Sequence, residues 1–277
     1  MKKISLYLFL FILFTSCGDS STTPNPKPDP AENITVSFVT PTKSSEVYYN
    51  VTQIIEVKTS EDVKKVEIFL DGQSIGSSIS SPYKINWMPK DLEPGTHKLT
   101  ARASSMKNNE FNIDTDVNLK IRLGDDFKGG KVFSVDGSGA HGLIASVDDL
   151  RDSKGIGYYF IWGDYTLRGT SLDNGAENTK KVATAATYYL EMGYQFKGDG
   201  LKLNGFNDWY IPSLRELELL LDHKTNVGGF PADSKEATYW SSSESTAKNG
   251  FCLNFVALMA NYNIKAVGAR IRPIRKF

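Results

Sequence analysis

Apolar positions recur in this chain with two different periods, and the change from one to the other divides it. Between residues 34 and 123 they come in short alternating runs, among them Ile54-Ile55-Glu56-Val57, Val66-Glu67-Ile68-Phe69-Leu70 and Leu99-Thr100-Ala101-Arg102-Ala103. Runs of that length between turn residues have the spacing of a β-sandwich. Asp71-Gly72, standing between two of them, is a hairpin turn signal. Gly124-Asp125-Asp126 breaks the pattern and predicts a boundary. Glycine-bounded strands follow over Gly129 to Phe133 and Gly139 to Ala145, then an aromatic strand over Tyr158 to Trp162 and a polar loop over residues 163–178. Val182, Ala185, Ala186, Tyr189 and Leu190 share a helical face, with Asn178 as its expected cap and Gly193 as its stop.

The C-terminal half is organised around residues 205–217. Phe206, Trp209, Tyr210 and Ile211 have strand chemistry, Pro212 forbids continuation of the ladder, and Ser213 with Glu216 spells a capping box. Leu214, Leu217, Leu220 and Leu221 then fall on one face of the helix, whose partner is expected to be the sheet that follows. The fold class predicted is therefore two domains: an all-β sandwich over residues 34–123 and an α+β unit over residues 124–277.

The N-terminus has a different logic. Lys2 and Lys3 precede an unbroken apolar run over residues 4–14, too short to span a membrane as a mature helix, which is the form of an export signal. Phe14-Thr15-Ser16-Cys17 resembles a bacterial lipobox. That resemblance implies that residues 1–17 form a lipoprotein signal ending in Cys17, which becomes the acylated first mature residue, with several acyl chains giving durable membrane attachment. Residues 18–33, with Pro24, Pro26, Pro28 and Pro30, predict an extended tether. Cys252 is the one other cysteine, so acylation of Cys17 excludes an intramolecular disulfide. Its place in the run Phe251-Cys252-Leu253 makes it a small hydrophobe.

Charge narrows the choice of partners. With 32 basic and 32 acidic residues there is no global attraction to nucleic acid, and none is expected as a partner. His97, His141 and His223 lie far apart, so no metal site and no cofactor is predicted. The loop Asp173-Asn174-Gly175-Ala176-Glu177-Asn178 offers oxygen ligands without the alternation of an EF-hand. No glycine-rich phosphate loop opens a helix, and Ser245-Thr246-Ala247-Lys248 lacks the partner motifs of a serine acyl-transfer site, so no enzyme is expected. What remains is recognition. Lys265, Arg270, Arg272, Arg275 and Lys276 concentrate positive charge near the C-terminus, and guanidinium forks suit an anionic glycan; surface ion pairing is the alternative reading. Trp162, Tyr165 and Tyr262 are candidates for stacking on sugar rings, whereas Trp209, Tyr210 and Trp240 are assigned to the core.

Two resemblances sharpen this. Val66 to Gly72, Pro82-Tyr83, Trp87, Gly95-Thr96-His97 and Leu99-Thr100-Ala101 resemble a bacterial immunoglobulin-like domain. Asp208-Trp209-Tyr210-Ile211-Pro212-Ser213, Gly228-Gly229-Phe230, Tyr239-Trp240-Ser241-Ser242-Ser243-Glu244 and Arg270-Ile271-Arg272-Pro273-Ile274-Arg275 resemble, in order, the bacterial Lcl-type C-terminal domain family. That second resemblance implies a C-type-lectin-like fold and a binding module. The related formylglycine-generating fold uses paired cysteines, and this half holds only Cys252. The expectation is an outer-membrane lipoprotein, lipid-anchored and surface-exposed in the cell envelope, whose tip recognises a glycan. The alternative is a protein-protein module in a surface assembly.

Overall fold

In the computed structural model, residues 32–150, 165–183, 196–197 and 200–277 are described. The expected signal, Cys17, the tether up to residue 31, the strand ending at Trp162 and the helix stop at Gly193 lie outside them. The alternating runs form two facing sheets. One has the order β1 (Val36–Thr40), β3 (Gln53–Thr59), β6 (Tyr83–Trp87). The other has the order β2 (Ser45–Tyr48), β8 (Glu110–Lys120), β7 (Gly95–Ser104), β4 (Lys65–Leu70), β5 (Gln73–Ser78), with β2 parallel to β8. In β4 the buried residues Val66, Ile68 and Leu70 alternate with partly exposed ones, as a half-buried strand requires. Asp71 and Gly72 both take positive φ, 47° and 86°, the geometry that joins β4 to β5 through a two-residue turn. Tyr83 and Trp87 are core residues. His97 is held by Asp71 Oδ2 at 2.6 Å and Glu93 O at 2.8 Å, a structural post beside that turn.

The rest of the chain carries its own cores, and Tyr49 packs against both the sandwich core and the first of them. A four-stranded sheet is built from β9 (Asp126–Phe127), β10 (Gly130–Val135), β11 (Gly142–Ala145) and the C-terminal β18 (Ile274–Lys276). β12 (Phe196–Lys197), β13 (Gly200–Leu203) and β14 (Phe206–Trp209) form a second; β15 (Thr238–Glu244), β16 (Asn249–Asn254) and β17 (Met259–Ile264) form a third. Among the described residues the helices are α1 (Gly175–Ala183), α2 (Leu214–Asp222) and the one-turn α3 (Lys224–Val227).

The strand-to-helix hinge takes the expected form. Ser213 accepts from Glu216 N and the Glu216 carboxylate reaches back to Ser213 N at 2.8 Å. Leu214, Leu217 and Leu220 of α2 are buried and Leu221 packs at the margin of the same cluster. That cluster includes Phe133 of β10 as well as Tyr239 and Leu253, so the helix rests on an earlier strand besides the sheet that follows it. Glu216 Oε2 also accepts from Gly175 N at 3.0 Å, and a Cβ at Gly175 would lie 2.4 Å from it, so only glycine lets α1 start this close. Replacing Ser213 with alanine removes a buried cap and its hydroxyl bond to Glu216; a loss of about 1–2 kcal/mol is expected in equilibrium urea unfolding.

One local prediction needs correction. α1 begins at Gly175, and its first turn is capped by Asn174, whose Oδ1 accepts from Glu177 N at 3.2 Å. Asn178 lies inside the helix, buried, and clasps Ser171 through both backbone groups at 2.7 and 2.6 Å. A side chain that can satisfy a distant loop gains more there than at a helix end. These bonds also commit the Asn174 and Asn178 amides of the loop considered for ion binding.

Candidate functional site

Lys276 is exposed, but the other four cations near the C-terminus do not form an exposed basic face. Arg270 and Arg272 converge on one carboxylate. Asp149 accepts from Arg272 Nε at 2.7 Å, Arg270 Nη1 at 3.2 Å and the Tyr239 hydroxyl at 3.0 Å. Arg272 is fully buried under the ring of Phe230, 4.2 Å away, and its remaining donors go to the carbonyls of Ser146, Val147, Gly228 and Gly229. Arg270 forks onto Glu236 as well. Pro273 intervenes before Arg275, which makes a bidentate pair with Asp208 at 2.8 Å and stacks 4.0 Å from Phe206. The arginines, expected from strand alternation to share one face, divide: Arg270 and Arg272 lie before β18 and meet at Asp149, whereas Arg275, within β18 and of opposite parity, pairs with Asp208 of β14. Burial pushes the Tyr239 hydroxyl above its ordinary range, and the Asp149 charge adds to that, so it stays a proton donor to Asp149.

Lys265 is buried too. Its Nζ meets Glu244 Oε1 at 2.6 Å and Thr166 O at 3.0 Å. Glu244 in turn accepts from Arg168 N at 2.9 and 3.1 Å and from Thr170 N at 3.4 Å, while its own N–H donates to Thr170 Oγ1 at 2.7 Å. Burial raises the Glu244 carboxyl, but the Lys265 ammonium and the Arg168 and Thr170 amides outweigh it and hold it below the ordinary glutamate range. One buried carboxylate therefore ties the loop at residues 165–171 to the end of β15.

The aromatic candidates divide along the lines of their elements. Trp209, Tyr210 and Trp240 are buried, as assigned. Trp162 lies outside the described residues. Tyr165 and Tyr262 are open, 51% and 61% exposed. Both belong to segments held by the buried pair: Tyr165 adjoins Thr166, whose carbonyl accepts from Lys265, and Tyr262 stands three residues before Lys265 on β17. Buried ionic bonds thus give two exposed rings a firm base. Sequence reasoning missed Glu244, Asp149 and Asp208 as partners, because a carboxylate's match in space leaves no mark on spacing along the chain.

An open groove of 430 Å³ lies elsewhere on this half, lined by Asp136, His141, Lys276 and Phe277 among others. Asp136 is committed to its own turn, accepting from Ser138 and Gly139. Cys252 is buried in the core and its thiol is pushed up to about 11 by burial, an inert hydrophobe as expected. Among the described residues no cluster of His, Cys, Asp and Glu is arranged to hold a metal, and no helix is long and apolar enough to cross a membrane.

Comparison with known proteins bears on the first sandwich. Residues 35–101 match the family model of a bacterial Ig domain, so this part of the chain is Ig-like. Among solved structures, the chain is similar to fibronectin(III)-like modules of Clostridium thermocellum CbhA, at 22% identity over 31% of this chain and 98% of that one, with a TM-score of 0.29. It is similar to a modular endo-beta-1,4-mannanase from Cellulomonas fimi at 16% identity over 31% of this chain and 18% of that one, TM-score 0.25. Bacteroides ovatus SGBP-B of a mixed-linkage glucan utilization locus, solved with a heptasaccharide, is 18% identical over 42% of this chain and 32% of that one, TM-score 0.27. A search of curated proteins finds no match.

Proposed function

We propose that this chain is a lipid-anchored protein of the bacterial cell surface in which an Ig-like spacer presents a C-type-lectin-like, Lcl-type tip that binds a glycan without transforming it. The observation that carries the reading is the pair of exposed tyrosines, Tyr165 and Tyr262, on two segments fastened by the same buried Glu244–Lys265 bond. Rigid aromatic surface is what stacking on a sugar ring needs. The commitment of Lys265, Arg270, Arg272 and Arg275 to internal partners moves the ligand from an anionic glycan towards a neutral one. Cys17 supplies the anchor and residues 18–33 the tether, and no catalysis is assigned.

A glycan array with the chain from residue 18 onward tests this, followed by calorimetric titration of any hit. Tyr165→Ala and Tyr262→Ala are each expected to weaken binding about tenfold, the effect of truncating a central aromatic contact. Binding is also expected to change little with salt, since exposed-charge attraction is screened within roughly 10 Å at 0.1 M ionic strength. Failure to bind any neutral or sulfated glycan would overturn the reading, and strong salt dependence would return the cations to the site.

A further inference from the structure

We infer that His97 is the pin of a latch, closed while its imidazole carries both hydrogens, that fixes the loop before β7, and with it the Ig-like sandwich, onto Lys128 of the C-terminal half. The inference is independent of the glycan reading, since it uses neither exposed tyrosine. His97 extends the inward row of Leu99, Ala101 and Ala103 on β7 to the end of the sandwich, where its side chain is 12% exposed. Its two ring nitrogens face two acceptors. Asp71 Oδ2 lies 2.6 Å from Nδ1, and the Glu93 carbonyl oxygen lies 2.8 Å from Nε2. A carbonyl oxygen has no hydrogen to give, and neither has an ionised carboxylate. Burial raises the Asp71 carboxyl, but the bonds from His97 and from Lys98 N outweigh it and hold it below the ordinary aspartate range, so it remains an acceptor. Both bonds therefore coexist only when both nitrogens carry hydrogen.

Removing one hydrogen selects which bond is lost. A ring lone pair is repelled more by a carboxylate than by a neutral carbonyl, so the neutral ring keeps its hydrogen on Nδ1 and releases Glu93 O. Glu93 is also the residue whose carboxylate crosses to the C-terminal half, 2.5 Å from Lys128 Nζ. That carboxylate is 73% exposed, so the ion pair contributes little unless the backbone carrying it is already held. The bond from His97 supplies that hold.

On the far side, the Lys128 carbonyl accepts from Arg275 Nη1 at 3.0 Å, and Arg275 is the arginine paired with Asp208. The latch thus ends on the frame of the C-terminal sheets. The residue opposite His97 on β8 is Val117, which carries no charge. The remaining charged groups nearby are Lys98, whose ammonium goes to Asp114 at 2.5 Å, Asp116 opposite Lys98, and Lys90, which borders the recess beside Asp71. Acid therefore closes the latch, and loss of a ring hydrogen opens it.

The test uses residues 18–277, which keep the compact unit Ile34–Phe277 whole. A water-soluble carbodiimide joins a carboxylate to an amine only where the two touch, so the yield of the Glu93–Lys128 cross-link, read by peptide mass spectrometry, reports the closed latch. Dividing by the yield of Glu56–Lys84, an ion pair within the sandwich, cancels the reagent's own pH dependence. The measurements are made at about pH 5.5 and about pH 8, on either side of the ordinary imidazole value of about 6.5. The ratio is expected to fall about fivefold at the higher pH, the population shift that one net hydrogen bond commands. Long-range proton–nitrogen spectra should show both ring nitrogens of His97 hydrogenated at the lower pH and Nδ1 alone at the higher. His97→Gln is expected to give the same ratio at both pH values, and Asp71→Asn, which removes the counter-charge, to lower the ratio at about pH 5.5 towards its value at about pH 8. A wild-type ratio that does not change with pH overturns the inference. So does a fall that persists in His97→Gln, or a ring that carries one hydrogen at the lower pH.

Discussion

Arg272→Lys is expected to destabilise the C-terminal half by about 3–5 kcal/mol, the loss typical of breaking a buried charge network by altering one partner. The arginine fills the space under Phe230 and serves Asp149 and four backbone carbonyls at once, from donors fixed in a plane. A lysine ammonium offers three donors from a single point and cannot span the carbonyls of Ser146 and Val147 on one side and those of Gly228 and Gly229 on the other. It would leave buried acceptors unmet. Arg270→Lys, at the rim of the same carboxylate, is expected to lose about 1 kcal/mol because solvent can take over its contacts. Equilibrium urea unfolding of both variants checks the ranking. Equal losses would mean that Asp149, not the guanidinium plug, holds this corner.

The second large effect is expected at Glu244. Glu244→Gln takes the carboxylate from the buried Lys265 ammonium, and about 3–5 kcal/mol should be lost. Changing both residues, as Glu244→Met with Lys265→Met, should lose less than the sum of the two single changes, since the buried ammonium is removed together with its carboxylate. A double-mutant cycle reads that coupling directly. The same carboxylate makes the loop acid-sensitive. Its folded value is depressed, so its contribution is fully present above the ordinary glutamate value of about 4.3 and is lost as pH falls through the folded value. Amide exchange at Arg168 and Thr170 should therefore accelerate below that range while amides of the sandwich core hold. Uniform acceleration would point to global acid unfolding instead. If Tyr165 contributes to binding, acid should weaken binding in step with that local opening.

Local signals carried much of the architecture. The Ser213/Glu216 capping box, the Asp71-Gly72 turn and the alternation of Val66, Ile68 and Leu70 each depend on residues within a few positions of one another, so each was readable in the sequence. The burial of Trp209, Tyr210, Trp240 and Cys252 followed from their place in apolar strands. The misassignment of Asn178 shows where that reach ends. It has the chemistry of a cap, but its best partner, Ser171, is on a loop brought back over the helix.

The sequence by itself determined that residues 34–123 form a β-sandwich and that a strand turns into a capped helix at Pro212, because period, turn and cap are short-range properties of the chain. Only the tertiary structure decided the fate of the charges. Arg272 and Asp149, Arg275 and Asp208, and Lys265 and Glu244 lie 123, 67 and 21 residues apart. An arginine that faces a ligand and one that faces a buried carboxylate read alike until the chain is folded, since desolvation and distance belong to three dimensions. That is why the basic residues moved from the expected binding surface to the frame, while Tyr165 and Tyr262 stay exposed.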